Sequence, residues 1–261
     1  MSPLEQAGVL CAAPEPARER LTRAGTRVAQ LGVAAFTTTR RLRKLRGTSG
    51  RDEARERALV LRDVARRALE LHGIELDAKG PLPLGPALLV ANHVSWLDPL
   101  VVASLLPCVP ISKLDLARWP VVGGLARDLG VVFVARGDAR SGLRVLRGAE
   151  AALADGLPVL NFPEGTTTAG ETVLPFRKGL FGIARARGFP IVPVAISYDP
   201  PELAWVGNDA FLPHWLGLAA TRRARASIRL GAPIAAAAHG SAAELARAAR
   251  SEVAGLLEEL R

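Results

Sequence analysis

Cysteine is nearly missing from this 261-residue chain, which holds two, Cys11 and Cys108. Neither belongs to a C-x-x-C or to any paired metal spacing. The pattern supports neither a disulfide framework nor a zinc site. Aromatic residues make up 5%, and Tyr198 is the sole tyrosine. That scarcity argues against the stacking platforms by which proteins hold single-stranded nucleic acid. Long apolar runs are missing too. The longest candidate, residues 28–36, is too short to span a bilayer and has arginines on both sides, so no transmembrane helix is expected. The opening residues carry an early glutamate and no basic region ahead of an apolar stretch, so they do not read as a signal peptide.

Positive charge and core-forming residues are plentiful. The formal net charge is +9 and 49% of residues are hydrophobic. Such a balance points to an anionic partner: nucleic acid, an anionic membrane surface or a phosphorylated substrate. The basic residues concentrate before residue 70. Residues 17–46 read as a helix with nine basic side chains named along it: Arg18, Arg20, Arg23, Arg27, Arg40, Arg41, Arg43, Lys44 and Arg46, around an apolar centre LGVAAF. Residues 47–50 form a break. A second helix over 51–72 has an apolar stripe of Ala58, Leu61, Ala65, Ala68 and Leu69, and Gly73 stands where a C-terminal cap belongs.

From residue 74 the pattern changes. IELDA, ALLVANH, CVPISK, VVFVAR, LPVLNFPEG, IVPVAISY and RASIRLG read as strands. Helical patterns fall at 98–106, 114–129, 139–155, 176–187 and 241–260. Alternation of this kind implies an α/β fold: a mixed, largely parallel sheet flanked by helices, with an N-terminal helical segment. The expected organisation is a basic helical segment, 1–73, and a second domain, 74–261.

Two strand ends carry the chemistry. In ANHVSWLDPL, His93 precedes Asp98 by five residues. Asp98–Pro99 fits a helix N-cap followed by proline at the first helical position. A carboxylate that holds His93 as a general base is the sharper reading, which this common spacing does not establish by itself and the rest of the chain must decide. In LNFPEGTTTAGETVLPFRKG, Glu164 and Gly165 follow a buried strand, then three threonines, then Arg177 and Lys178. Ser95 lacks the G-x-S-x-G elbow of a serine nucleophile, and Cys108 reads as a small buried hydrophobe.

Together, NHVSWLD and FPEGT resemble the glycerolipid acyltransferase family, which includes bacterial 1-acylglycerol-3-phosphate acyltransferases. Its N-H-x4-D motif matches Asn92, His93 and Asp98. Its F-P-E-G-[ST] motif matches Phe162, Pro163, Glu164, Gly165 and Thr166. Between them, Lys113, Pro120, Gly123–Gly124 and Arg136 match a block in which an apolar strand ends in arginine. IVPVAIS around Pro193 matches a fourth block. The likeness covers roughly residues 74–200, and four blocks in order are far more specific than one.

The resemblance implies transfer of a fatty acyl group from acyl-CoA or acyl carrier protein to the hydroxyl of a lysolipid acceptor. The leading acceptor is 1-acyl-sn-glycerol-3-phosphate. His93 would act as base and Asp98 as its partner. Asn92, Lys113, Arg136, Glu164, Gly165, Thr166, Arg177 and Lys178 would bind substrate. No cofactor and no metal is implied. An anionic membrane surface is the expected partner in place of nucleic acid, with the protein peripheral on the cytoplasmic face. One departure bears on the acceptor. Many relatives that act on phosphate-bearing acceptors place a basic residue after F-P-E-G-T, whereas this chain has Thr167. FPEGTTTAGETVLPF also resembles acyltransferases of lyso-ornithine lipids.

Overall fold

The apolar runs after residue 74 assemble into one seven-stranded sheet. In the computed structural model, residues 16–45, 50–119, 121–135, 138–206 and 210–261 are described. The strands are β1 (Ile74–Lys79), β2 (Leu88–Ala91), β3 (Val109–Lys113), β4 (Val132–Val134), β5 (Val159–Asn161), β6 (Ile191–Asp199) and β7 (Ala224–Leu230). Their order across the sheet is β1-β7-β6-β2-β5-β3-β4. Every pairing is parallel except β6 with β7. All seven expected strands are present, and the mixed, largely parallel sheet is as the alternation implied.

Eight helices are described: α1 (Ala17–Leu45), α2 (Arg51–His72), α3 (Asp98–Leu105), α4 (Val122–Asp128), α5 (Ala139–Ala154), α6 (Gly179–Arg187), α7 (Phe211–Ala220) and α8 (Ala242–Glu258). They cover both faces of the sheet. On one face, α2 and α3 bury Val60, Leu61, Ala65, Leu69, Val101 and Val102 with Leu89 and Ala91 of β2. On the other, α5, α6 and α8 pack with Leu88 and Val90. The period of two along β2 thus sends its four side chains to opposite layers, which is why the strand reads as continuously apolar.

The buried stripe of α2 is wider than its spacing predicts. Val60, Leu71 and His72 join Ala58, Leu61, Ala65 and Leu69, while Ala68 is half-buried. The helix packs against α1, α3 and β1, so more than one face meets protein. Gly73 caps it in the left-handed conformation at φ 66°, with its N–H donating to Glu70 O.

Two stretches differ from expectation. The helix expected over 114–129 is broken into a 3-10 turn at Leu114–Arg118 and α4. Trp119 precedes a proline, which disfavours the helical region, and it sits at φ −70°, ψ 134°. In addition, α7 stands where the sequence pattern assigns no element. Its Pro213 falls in the first turn, where a missing N–H breaks no bond. The other end of α7 is tied to α1: Arg27 donates to the carbonyls of Ala219 (3.1 Å) and Thr221 (2.6 Å), and Arg23 to that of Ala220 (2.7 Å). Two of the basic residues in the N-terminal helix therefore cap a helix C-terminus, where cations are favoured.

Candidate active site

Register places the site. In the parallel pair of β2 and β5, Val90 lies opposite Asn161, and both strands leave the sheet at their C-terminal ends, on the same side. Three residues further on stand His93 and Glu164. The His93 N–H donates to Glu164 Oε1 at 2.9 Å, and the Leu174 N–H donates to Oε2 at 3.1 Å. Glu164 is 5% exposed. Burial pushes its carboxyl above the usual range, partly opposed by those two N–H groups.

Asp98 is fully buried. Leu97 is already helical at φ −73°, ψ −26°, so Asp98 lies in the first turn of α3 and is not its N-cap. Its carboxylate turns back over the preceding loop. Oδ2 accepts from the N–H groups of Val94 (2.7 Å) and Ser95 (2.9 Å), and lies 2.7 Å from His93 Nδ1. A carboxylate can only accept, so in the neutral ring Nδ1 carries the proton and Nε2 presents its lone pair. The ring stacks on Phe162 with centroids 4.3 Å apart. The imidazole is 17% exposed, so a narrow opening reaches it.

Asn92, expected to bind substrate, is buried and its amide closes on β6. Nδ2 donates to Ile196 O at 2.9 Å, and Oδ1 accepts the Ile196 N–H at 2.8 Å. This reciprocal pair extends the β2–β6 pairing past the end of β2. Asn92 and Glu164 thus brace the histidine from behind. The threonine loop is tied to the histidine's backbone, where Thr168 N–H donates to His93 O at 2.8 Å.

The Acyltransferase family model matches residues 70–197. The chain is 38% identical over 185 residues to a lyso-ornithine lipid O-acyltransferase of Pseudomonas aeruginosa, covering 69% of this chain and 70% of that one. It is 34% identical over 174 residues to a 1-acyl-sn-glycerol-3-phosphate acyltransferase of Neisseria meningitidis serogroup B, covering 66% and 67%. The chain belongs to the acyltransferase family. Its fold matches the crystal structure of the 1-acyl-sn-glycerophosphate acyltransferase from Thermotoga maritima with a TM-score of 0.72 at 22% identity, over 93% of this chain and 96% of that one.

This acyltransferase gathers its other expected site residues unevenly. Gly165 turns at φ 71°, and the Arg177 guanidinium covers it so closely that a Cβ there would lie 2.8 Å from Nε. Arg177 and Lys178 are exposed where the chain enters α6, and Thr166 is half-buried. Lys113 ends β3, on the same side of the sheet, partly exposed. Arg136 and Pro120 lie outside the described residues. Among the described residues, no group of three or more His, Cys, Asp or Glu side chains is placed to hold a metal ion.

Sequence reasoning passed over an aromatic cluster and a phenol. Trp96, Trp119 and Trp205 surround Phe211 at centroid distances of 5.2, 4.0 and 6.5 Å. Trp96 also donates its indole N–H to His214 Nδ1 at 3.0 Å, tying α7 to the loop that holds His93. Tyr198, at the end of β6, donates to Asp98 Oδ1 at 2.7 Å. Its rarity in the composition was the one signal available.

Proposed function

We propose that the chain moves a fatty acyl group from a thioester donor, acyl-CoA or acyl carrier protein, to the free hydroxyl of a lysolipid, with His93 as general base. The observation that carries this reading is the buried Asp98 carboxylate 2.7 Å from His93 Nδ1, which leaves Nε2 free at the opening. The acceptor O–H gives its proton to Nε2 as its oxygen attacks the thioester carbonyl. Asp98 stabilises the imidazolium that forms. The C–S bond then breaks, and the departing thiolate takes the proton from the imidazolium. The products are an ester and a free thiol, with no enzyme-bound acyl group and no cofactor or metal in the balance.

Both candidate acceptors carry an anionic group, a phosphate in one and a carboxylate in the other. Arg177, over the Phe162–Gly165 turn, and Lys178 beside it offer the cations, with Lys113 and Arg136 as further candidates. With 1-acyl-sn-glycerol-3-phosphate as acceptor the product is phosphatidic acid. Lyso-ornithine lipid is the second reading. It is favoured by Thr167, which is buried where many phosphate-binding relatives carry a basic residue, and by the 38% identity to the Pseudomonas enzyme. The test is release of free thiol from each donor, with each lysolipid offered separately and His93→Ala as control. Acceptor-dependent release that vanishes in His93→Ala is the expected result. Near-normal release by folded His93→Ala would sink the base assignment.

We further propose that residues 1–73 hold the protein against an anionic membrane on its cytoplasmic face. No helix among the described residues is long and apolar enough to cross a membrane. Instead α1 exposes Leu21, Val33 and Phe36, and packs against α4 and α7; Val121 just before α4, Val122 of α4, and Leu212 and Leu216 of α7 are exposed as well. Apolar side chains flanked by arginines suit the interface of an anionic bilayer. Flotation with phosphatidylglycerol vesicles should weaken sharply in Val33→Asp/Phe36→Asp. Unchanged flotation would reject this placement.

A further inference from the structure

β6 outruns β2. Ala91, the last residue of β2, lies opposite Val194, and β6 continues to Asp199. Tyr198 therefore overhangs the loop between His93 and Asp98. Its ring packs into the core and is 8% exposed. The donors around Asp98 are divided unevenly. Oδ2 takes three, from His93, Val94 and Ser95. Oδ1 takes the Tyr198 hydroxyl at 2.7 Å. Burial and the Asp98 charge both push the phenol well above its ordinary value, so it stays a donor throughout the working range.

We propose that Tyr198 is a positioning residue for the His93–Asp98 pair, fixing the carboxylate with Oδ2 against Nδ1 and drawing charge onto Oδ1. This role rests on the reading of His93 as the base. The terminal torsion of an aspartate is broad, so an oxygen without a donor leaves the carboxylate free to twist. With both oxygens engaged it is held. A phenol donor also lowers the carboxylate's appetite for a proton, which keeps the Nδ1 proton on the ring when the imidazolium forms. The other titratable group beside the pair is Glu164, held by the backbone of His93 and Leu174. It touches neither the phenol nor Oδ1 in the contacts described.

Tyr198→Phe removes the hydroxyl and keeps the ring, so packing alone predicts little change. The proposal expects kcat to fall about 10- to 100-fold, with KM for donor and acceptor within about twofold of wild type. The acidic limb of the pH–rate profile should move to higher pH, because a carboxylate without the phenol holds the imidazole proton more firmly. A thermal melt of each variant separates this from loss of fold.

As Tyr198 is the sole tyrosine, biosynthetic incorporation of 3-fluorotyrosine modifies one site. The more acidic fluorophenol should move the acidic limb the other way, and its single fluorine resonance should shift in Asp98→Asn. That protein carries the test if Tyr198→Phe does not fold. A full-rate Tyr198→Phe with an unmoved limb overturns the proposal, as does a fluorine resonance blind to Asp98→Asn. The His93→Ala control separates two failures. Activity retained there overturns the base assignment and this role together. Activity lost there, with Tyr198→Phe unaffected, overturns the role of Tyr198 alone.

Discussion

Replacing Asp98 by asparagine should separate folding from turnover. The asparagine amide has two orientations. With its oxygen at the Oδ2 position, it still accepts from Val94, Ser95 and His93, and its NH2 faces the Tyr198 hydroxyl, which can rotate to accept. The opposite orientation sets NH2 against three donors and is excluded. The first orientation keeps every partner, so the loop should hold its shape. Charge-assisted bonds weaken by about 1 kcal/mol each, and relief from burying a carboxylate offsets part of that. The net loss of stability should be within about 2 kcal/mol.

Turnover answers to a different quantity. An imidazolium roughly 4 Å from a carboxylate gains about 4 kcal/mol at an effective dielectric near 20. Losing that gain lowers the rate about a thousandfold. Thiol release under saturating donor and acceptor measures the rate, and urea unfolding measures the stability. An Asp98→Asn protein with a kcat within about tenfold of wild type would refute the electrostatic argument, whatever its stability.

Other parts of the structure make their own predictions. His72 is buried with Nδ1 donating to Ala68 O at 2.8 Å, and burial followed by the nearby Arg27 charge lowers its pKa. A base depressed in the folded state contributes stability above its unfolded value that is lost as pH falls, so the urea midpoint should drop from pH 7 to pH 5, and His72→Leu should flatten that slope. In a Cys11→Ser background, Cys108 should resist a thiol-modifying disulfide reagent at pH 8 until urea is added, since burial pushes its thiol up to about 12. Rapid labelling of the native protein would contradict its burial. Gly165→Ala forces a side chain onto φ 71° and into the Arg177 guanidinium. It should raise KM for the anionic acceptor more than KM for the donor, at a cost of about 1 kcal/mol in stability. Equal effects on both would remove Arg177 from the acceptor's side.

The strands were legible because burial on both faces leaves near-continuous apolar runs, as in β2 and β6, and because β7 alternates cleanly. His93, Asp98 and Glu164 were legible as residue types at strand ends. What each side chain touches was not. Asn92 closes on Ile196, a residue 104 positions away, and only the pairing of β2 with β6 brings them together. Arg27 read as one basic residue among nine on a helix expected at a membrane surface, yet it is buried under α7, a helix the sequence pattern did not announce. Tyr198 looked like one more residue of an apolar strand. Strand register decided Asn92 and Tyr198, and the packing of α1 on α7 decided Arg27; neither leaves a local trace in the chain.

Along β6, the backbone of Ile196 receives Asn92 and the side chain of Tyr198 reaches Asp98, two residues later. Side chains alternate along a strand, so inserting or deleting one residue between those positions would leave the Asn92 tether intact and swing the phenol to the opposite layer. The length of this short stretch is therefore as constrained as the identity of its tyrosine. Grafts that aim to retune acceptor choice should leave residues 191–198 in frame with 88–98. Residues 166–178 are better changed by substitution than by length, because the Thr168 and Leu174 N–H groups within them hold His93 and Glu164.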